Sequence, residues 1–120
     1  MMKLLTNLPD HAVGVSALGQ VDAKDHESVL MPAIDAALQR HHRVRVLYQL
    51  TSQFTGFTSG AMWDDCKLGL ANWKAWERIA VVTDVHWVAH ATRMFAFLMP
   101  GLVKVFSNEE QPEAEKWIAG

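Results

Sequence analysis

The chain has 120 residues, half of them hydrophobic and a fifth charged, with 11 Lys and Arg against 13 Asp and Glu. That length suits one domain over 1–120 with a real core, and the near-neutral charge argues against nucleic acid as a partner, since binding it needs a basic patch. The single cysteine, Cys66, excludes an intrachain disulfide and a Cys-rich metal framework, and it suits a reducing cytoplasm.

At the N-terminus the apolar run Met2–Leu5 is too short for a signal peptide. It and Ala12–Leu18 flank the turn formers Asn7-Leu8-Pro9-Asp10, which predicts a β-hairpin. Asp22 is placed to cap a helix over about 24–40, with Leu30, Ile34, Ala37 and Leu38 as its buried stripe. Pro32 lies inside that helix and predicts a kink or an offset first turn. Val44–Leu50, Ile79–Val82 and, more weakly, Leu102–Phe106 read as strands covered on both faces. Helical patterns occupy 60–77, 85–99 and 109–118, the last opened by Ser107-Asn108-Glu109-Glu110 with Pro112 in its first turn. The predicted order is ββαβαβαβα, an α/β domain with a mainly parallel central sheet and an N-terminal hairpin. No apolar run reaches the roughly 18 residues of a membrane span.

Two of these helices carry more apolar surface than packing on one sheet face demands. In the second, Met62, Trp63, Cys66, Leu70, Trp73 and Trp76 share one arc, which holds three of the five tryptophans. In the third, Asp84 is the expected N-cap and Pro100-Gly101 the stop. His86, His90, Arg93 and Phe97 form a narrow stripe there, and nearly everything else is apolar, including Trp87, Met94, Phe95, Leu98 and Met99. Such a helix is buried on nearly every side, covers an apolar cavity, pairs with a partner or touches lipid. Tryptophan suits a membrane interface and methionine an adaptable pocket. The histidines add a modest cationic edge that grows as imidazoles protonate, below roughly pH 6.5.

Other chemistry finds little footing. His86 and His90 are spaced i, i+4, but no glutamate lies between them and no further zinc ligand is evident, so no metal is expected. His41-His42 suits the C-terminal dipole of the first helix, and His11 and His26 have no evident companions. Cys66 falls in the apolar arc, where burial blunts a thiol. Arg78, at the start of a strand, is assigned no function. No phosphate loop, nucleophile elbow or paired catalytic motif is present, so neither an enzyme nor a cofactor is expected.

Several strings carry a family resemblance: Phe54-Thr55-Gly56-Phe57, Ala61-Met62-Trp63-Asp64-Asp65, Glu77-Arg78-Ile79-Ala80-Val81-Val82-Thr83-Asp84 and Glu113-Ala114-Glu115-Lys116-Trp117-Ile118. With the element order, they resemble the SpoIIAA-like fold shared by STAS domains and CRAL-TRIO lipid carriers, and more narrowly the small bacterial STAS/SEC-type domain proteins. By analogy with CRAL-TRIO carriers, the resemblance implies non-enzymatic binding of an apolar small molecule or lipid between mobile helices at about 60–77 and 85–99, a conformational switch. Met62, Trp63, Cys66, Leu70, Trp73, Trp87, Met94, Phe95 and Leu98 are the expected ligand- or membrane-binding residues, with Gly56, Gly60 and Gly101 as hinges. The attendant location is the cytoplasm, with peripheral contact at the inner membrane face. The alternative is a phosphorylation-regulated interaction module like an anti-sigma-factor antagonist, with Ser59 as phosphoacceptor. Thr58 stands where such proteins carry an acidic residue, and Ser59 is more simply an N-cap. A third outcome is a homodimer in which the apolar helices bury each other.

Overall fold

The computed structural model describes residues 1–6, 8–58, 75–95 and 102–120. Strand β1 (Met2–Leu4) turns back into β2 (Ala12–Val21), the expected antiparallel hairpin. Helix α1 follows in three contiguous parts, an α turn Ala23–Asp25, a π segment His26–Leu30 and an α segment Met31–Arg40. Then come β3 (Val44–Phe57), β4 (Trp76–Val82), α2 (His86–Phe95), β5 (Leu102–Phe106), a 3-10 turn Asn108–Glu110 and α3 (Gln111–Ala119).

Local chemistry accounts for the breaks in these elements. Asp22 and Asp25 form a reciprocal capping box, Asp25 N–H donating to Asp22 Oδ1 at 2.9 Å and Asp22 N–H to Asp25 Oδ2 at 3.0 Å. Pro32 sits in the first turn of the α segment, directly after the π segment, where a missing N–H costs least. Of the two expectations, the offset first turn is the one seen, the turn Ala23–Asp25 being set apart from the main segment Met31–Arg40 by the π segment. Ser107 and Glu110 form a second capping box at the entry to α3.

The five strands lie in sequential order, β1-β2 antiparallel and every later pair parallel. Right-handed crossovers that always step the same way put their helices on the same face. Accordingly α1 packs on Val15, Val44 and Val46, and α2 packs through Val88 on Leu50 and Val81. The opposite face, with Leu47, Ala80, Val82 and Phe106, receives Ala114 and Ile118 of α3. Alternate residues of β3 thus serve two cores, which is why Val44–Leu50 reads as an almost continuous apolar run.

Two element boundaries differ from the sequence reading. β4 begins at Trp76, so the helix expected over 60–77 cannot reach its end, and Trp76 is a buried strand residue rather than part of a helical arc. β3 runs on to Phe57 because it is bulged against β2. Between Ala17↔Leu50 and Val21↔Phe57 it spends seven steps against four. Thr51 Oγ1 fixes the bulge by donating to the Ala17 carbonyl at 2.9 Å. Gly19 (φ 61°) and Gly56 (φ 151°) supply the backbone angles that other residues avoid. Gly56, expected to be a hinge, lies inside a paired strand.

Gly14 answers to space rather than to backbone angle. A Cβ there would lie 2.5 Å from Leu8 Cδ1 and 3.1 Å from Leu5 Cβ. Gly14→Ala is expected to cost about 1–2 kcal/mol, the lower part of the overpacking range, because the Leu8 chain end can swing away. A urea melt checks this, and an unchanged midpoint would show that the hairpin loop yields freely.

Candidate functional site

The C-terminal ends of β4 and β5 lie side by side, tied by Thr83 N–H donating to the Phe106 carbonyl at 2.8 Å. Beyond these carboxyl ends the chain divides, α2 lying on one face of the sheet and α3 on the other. Here a cleft of about 810 Å³ opens between α2 and the β5–α3 turn. Its α2 wall carries His86, His90 and Arg93, the stripe read from the sequence. Asp84, Ser107 and Glu110 stand opposite, and Val85, Trp87, Ala89 and Val105 line it with apolar side chains.

Asn108 holds the far wall together. Its backbone N–H donates to Asp84 Oδ1 and its side-chain amide to Asp84 Oδ2, each at 3.1 Å, while the same amide reaches the Leu50 carbonyl at 3.0 Å. Asp84 is thus a tie between the β4–α2 and β5–α3 connections, and the expected N-cap role is corrected accordingly. The helix starts at His86, and Thr83 Oγ1 accepts from Val85 N–H at 3.0 Å in the turn before it. Glu110 Oε1 accepts from Ser107 N–H at 2.8 Å. Both carboxylates are committed to shaping the wall. By contrast, the side chains of His86, His90 and Arg93 are exposed and make no hydrogen bond or ion pair among the described residues.

Burial of the third helix on nearly every side is excluded for its described residues. Val88 is buried and Ala89 and Thr92 are half-buried, but Trp87 is 52% and Met94 64% exposed. Seven residues apart, these two stand in one row with the exposed Ala91 between them. The Trp87 ring is anchored edge-on against Phe57, centroids 6.3 Å apart. Phe57 in turn stacks toward Phe54, Tyr48 and His26. His26, expected to stand alone, is fully buried and hydrogen-bonded through Nε2 to the Tyr48 hydroxyl at 3.0 Å. His11 likewise has a companion, meeting His41 edge-on at 6.4 Å.

Of the residues expected to bind ligand or membrane, Trp87 and Met94 come together on α2, and Phe95 is that helix's last residue. Met62, Trp63, Cys66, Leu70, Trp73 and Leu98 lie outside the described residues, as do Ser59, Gly60 and Gly101. Arg78 proves to be a helix-paired charge, donating to the Trp117 carbonyl at 2.7 Å with its guanidinium 5.3 Å from the Trp117 ring. Ser107, Asn108 and Glu110 read from sequence as a helix start and nothing more. Their place in the cleft depends on β5 lying beside β4. Among the described residues no three His, Cys, Asp or Glu side chains gather as metal ligands, and no helix is long and apolar enough to cross a membrane.

A SpoIIAA-like family model matches residues 12–119. The chain belongs to the SpoIIAA-like family. A solved structure from Shewanella loihica PV-4, an uncharacterized protein of the DUF3478 family with a SpoIIAA-like fold, is similar at 26% identity and a TM-score of 0.76, over 98% of this chain and 92% of that one. No curated protein matches. The mainly parallel five-stranded sheet with its N-terminal hairpin is therefore the SpoIIAA-like fold, and this SpoIIAA-like domain carries its cleft where two parallel strands end.

Proposed function

We propose that this SpoIIAA-like domain is a non-catalytic module that binds lipid through α2, sitting peripherally at a membrane surface. The observation that carries the reading is the row Trp87, Ala91 and Met94, solvent-exposed on a helix whose opposite side is packed on the sheet. A large aromatic with a polar N–H, left half in water, suits a headgroup boundary. The charge pattern agrees. α2 carries no acidic residue, and His86, His90 and Arg93 flank the apolar row, as expected of a helix lying in an anionic interface.

The test is co-flotation with phosphatidylcholine and phosphatidylglycerol vesicles while tryptophan emission is followed. Flotation with a blue shift is expected, stronger on the anionic vesicles, and reduced in a Trp87→Ala, Met94→Ala variant. A circular dichroism spectrum and urea midpoint matching wild type establish that the variant is folded before flotation is compared. Folded protein that neither floats nor shifts its emission would sink the reading and favour a protein partner or a homodimer on the same face.

A further inference from the structure

We propose that the cleft beside α2 is an oxyanion site, in which His86, His90 and Arg93 hold the phosphodiester monoanion of a ligand whose apolar body lies on Val85 and Val105. This deepens the lipid reading by naming the headgroup chemistry, and it rests on that reading for the apolar body. The donors are the unfilled side of the cleft. Positions 86, 90 and 93 stack along one side of α2, so neighbouring side chains in the row can share one bound group. Asp84 and Glu110 already accept from Asn108 and Ser107. A cleft of about 810 Å³ has room for a small organic molecule rather than a bare ion.

The carboxylates also select the charge of the ligand. Among the described residues, Asp84, His86, His90, Arg93 and Glu110 are the ionisable ones lining the cleft. The histidines therefore face Arg93 on their own helix, Asp84 from the β4–α2 connection and Glu110 from the β5–α3 turn. Two fixed negative charges beside one fixed positive charge repel a dianion more than a monoanion. Histidine changes charge within the physiological range, so protonation tips the cleft toward anions and binding strengthens as pH falls.

Nitrogen-15 NMR titrations test this with three probes: dimethyl phosphate, dihexanoylphosphatidylglycerol below its micelle concentration, and the neutral amphiphile monohexanoylglycerol. Phosphatidylglycerol is expected to shift the His86 and His90 imidazole and Arg93 Nε signals. Arg93→Gln should weaken it by about tenfold, the weight of one charge-assisted hydrogen bond. Affinity should rise between pH 7.5 and 5.5, and a His86→Gln, His90→Gln variant should lose that rise. An equal response to dimethyl phosphate would assign the site to a free phosphodiester, upholding the site but not the lipid reading. Binding of phosphatidylglycerol alone would assign it to a lipid headgroup. Undiminished binding in both variants, or binding of monohexanoylglycerol with no response to either phosphodiester, would overturn the oxyanion site and leave the lipid reading standing. No response to any probe would overturn the site as well.

Discussion

Leu47→Ala is expected to destabilise the domain by about 2–5 kcal/mol, the range for deleting a buried leucine side chain. Leu47 is completely buried at the centre of the α3 face, among Ala80, Val82 and Phe106 from the sheet and Ala114 and Ile118 from the helix. Two of those neighbours are alanines, too short to fill the void, and β3 is held on both edges by parallel partners. Collapse into the cavity is therefore restricted, and the cost should fall high in the range. Against a total stability of about 5–15 kcal/mol, that removes a large share. Urea denaturation should show the midpoint falling by roughly 1–2.5 M at a slope of about 2 kcal/mol per M. A drop worth less than about 1 kcal/mol, below the usual range, would mean that α3 is not seated on Leu47.

Much of this architecture was legible because β3 and its neighbours announce themselves by composition. The mostly apolar run Val44–Leu50, broken only by Arg45 and Gln49, signals a strand with both faces covered, and Asp22 and Ser107 mark two helix starts through capping boxes. Boundaries were lost where long-range pairing overrides a local pattern. Trp76 continues a helical arc on paper, but in the fold it pairs with Val44 and begins a strand. Phe54–Phe57 lies beyond the strand read at Val44–Leu50, yet a bulge fixed by Thr51 keeps it paired with β2. The cleft was half legible. His86, His90 and Arg93 form a stripe by helical spacing alone. The wall that faces them comes from a turn some twenty residues further on, and Asp84 was assigned to the nearer helix because a cap is the local use of an aspartate. His26 gave no local sign at all, since its partner Tyr48 is brought to it by the sheet.

Arg45→Met is expected to cost about 2–3 kcal/mol at neutral pH and less in acid. Arg45 donates through Nε to Glu77 and through Nη1 to the Ile118 carbonyl at 3.1 Å, so it joins β3 to β4 and closes the C-terminus of α3. A register shift between Val44 and Arg45 places Glu77 as the extra residue of β4, which brings its carboxylate to Arg45. Charge-assisted hydrogen bonds contribute about 1.5–3 kcal/mol each. The Glu77 side chain is 36% exposed, and that half of the sum is discounted for screening. The hydrogen bond from Arg45 holds the Glu77 carboxyl below the ordinary carboxylate range, helped by the charges of Arg45, Arg43 and Arg78 and opposed by burial. Because the folded value lies below the unfolded one, this contribution is fully present above the unfolded value and is lost as pH falls through the folded one. Urea melts of both proteins at pH 7 and pH 3 therefore discriminate. The gap between wild type and Arg45→Met should shrink at pH 3, because acid removes the Glu77 contribution, and should not close, because the bond to Ile118 persists. An equal gap at both pH values would show that Arg45 acts through the helix end alone and that its pair with Glu77 adds nothing to stability.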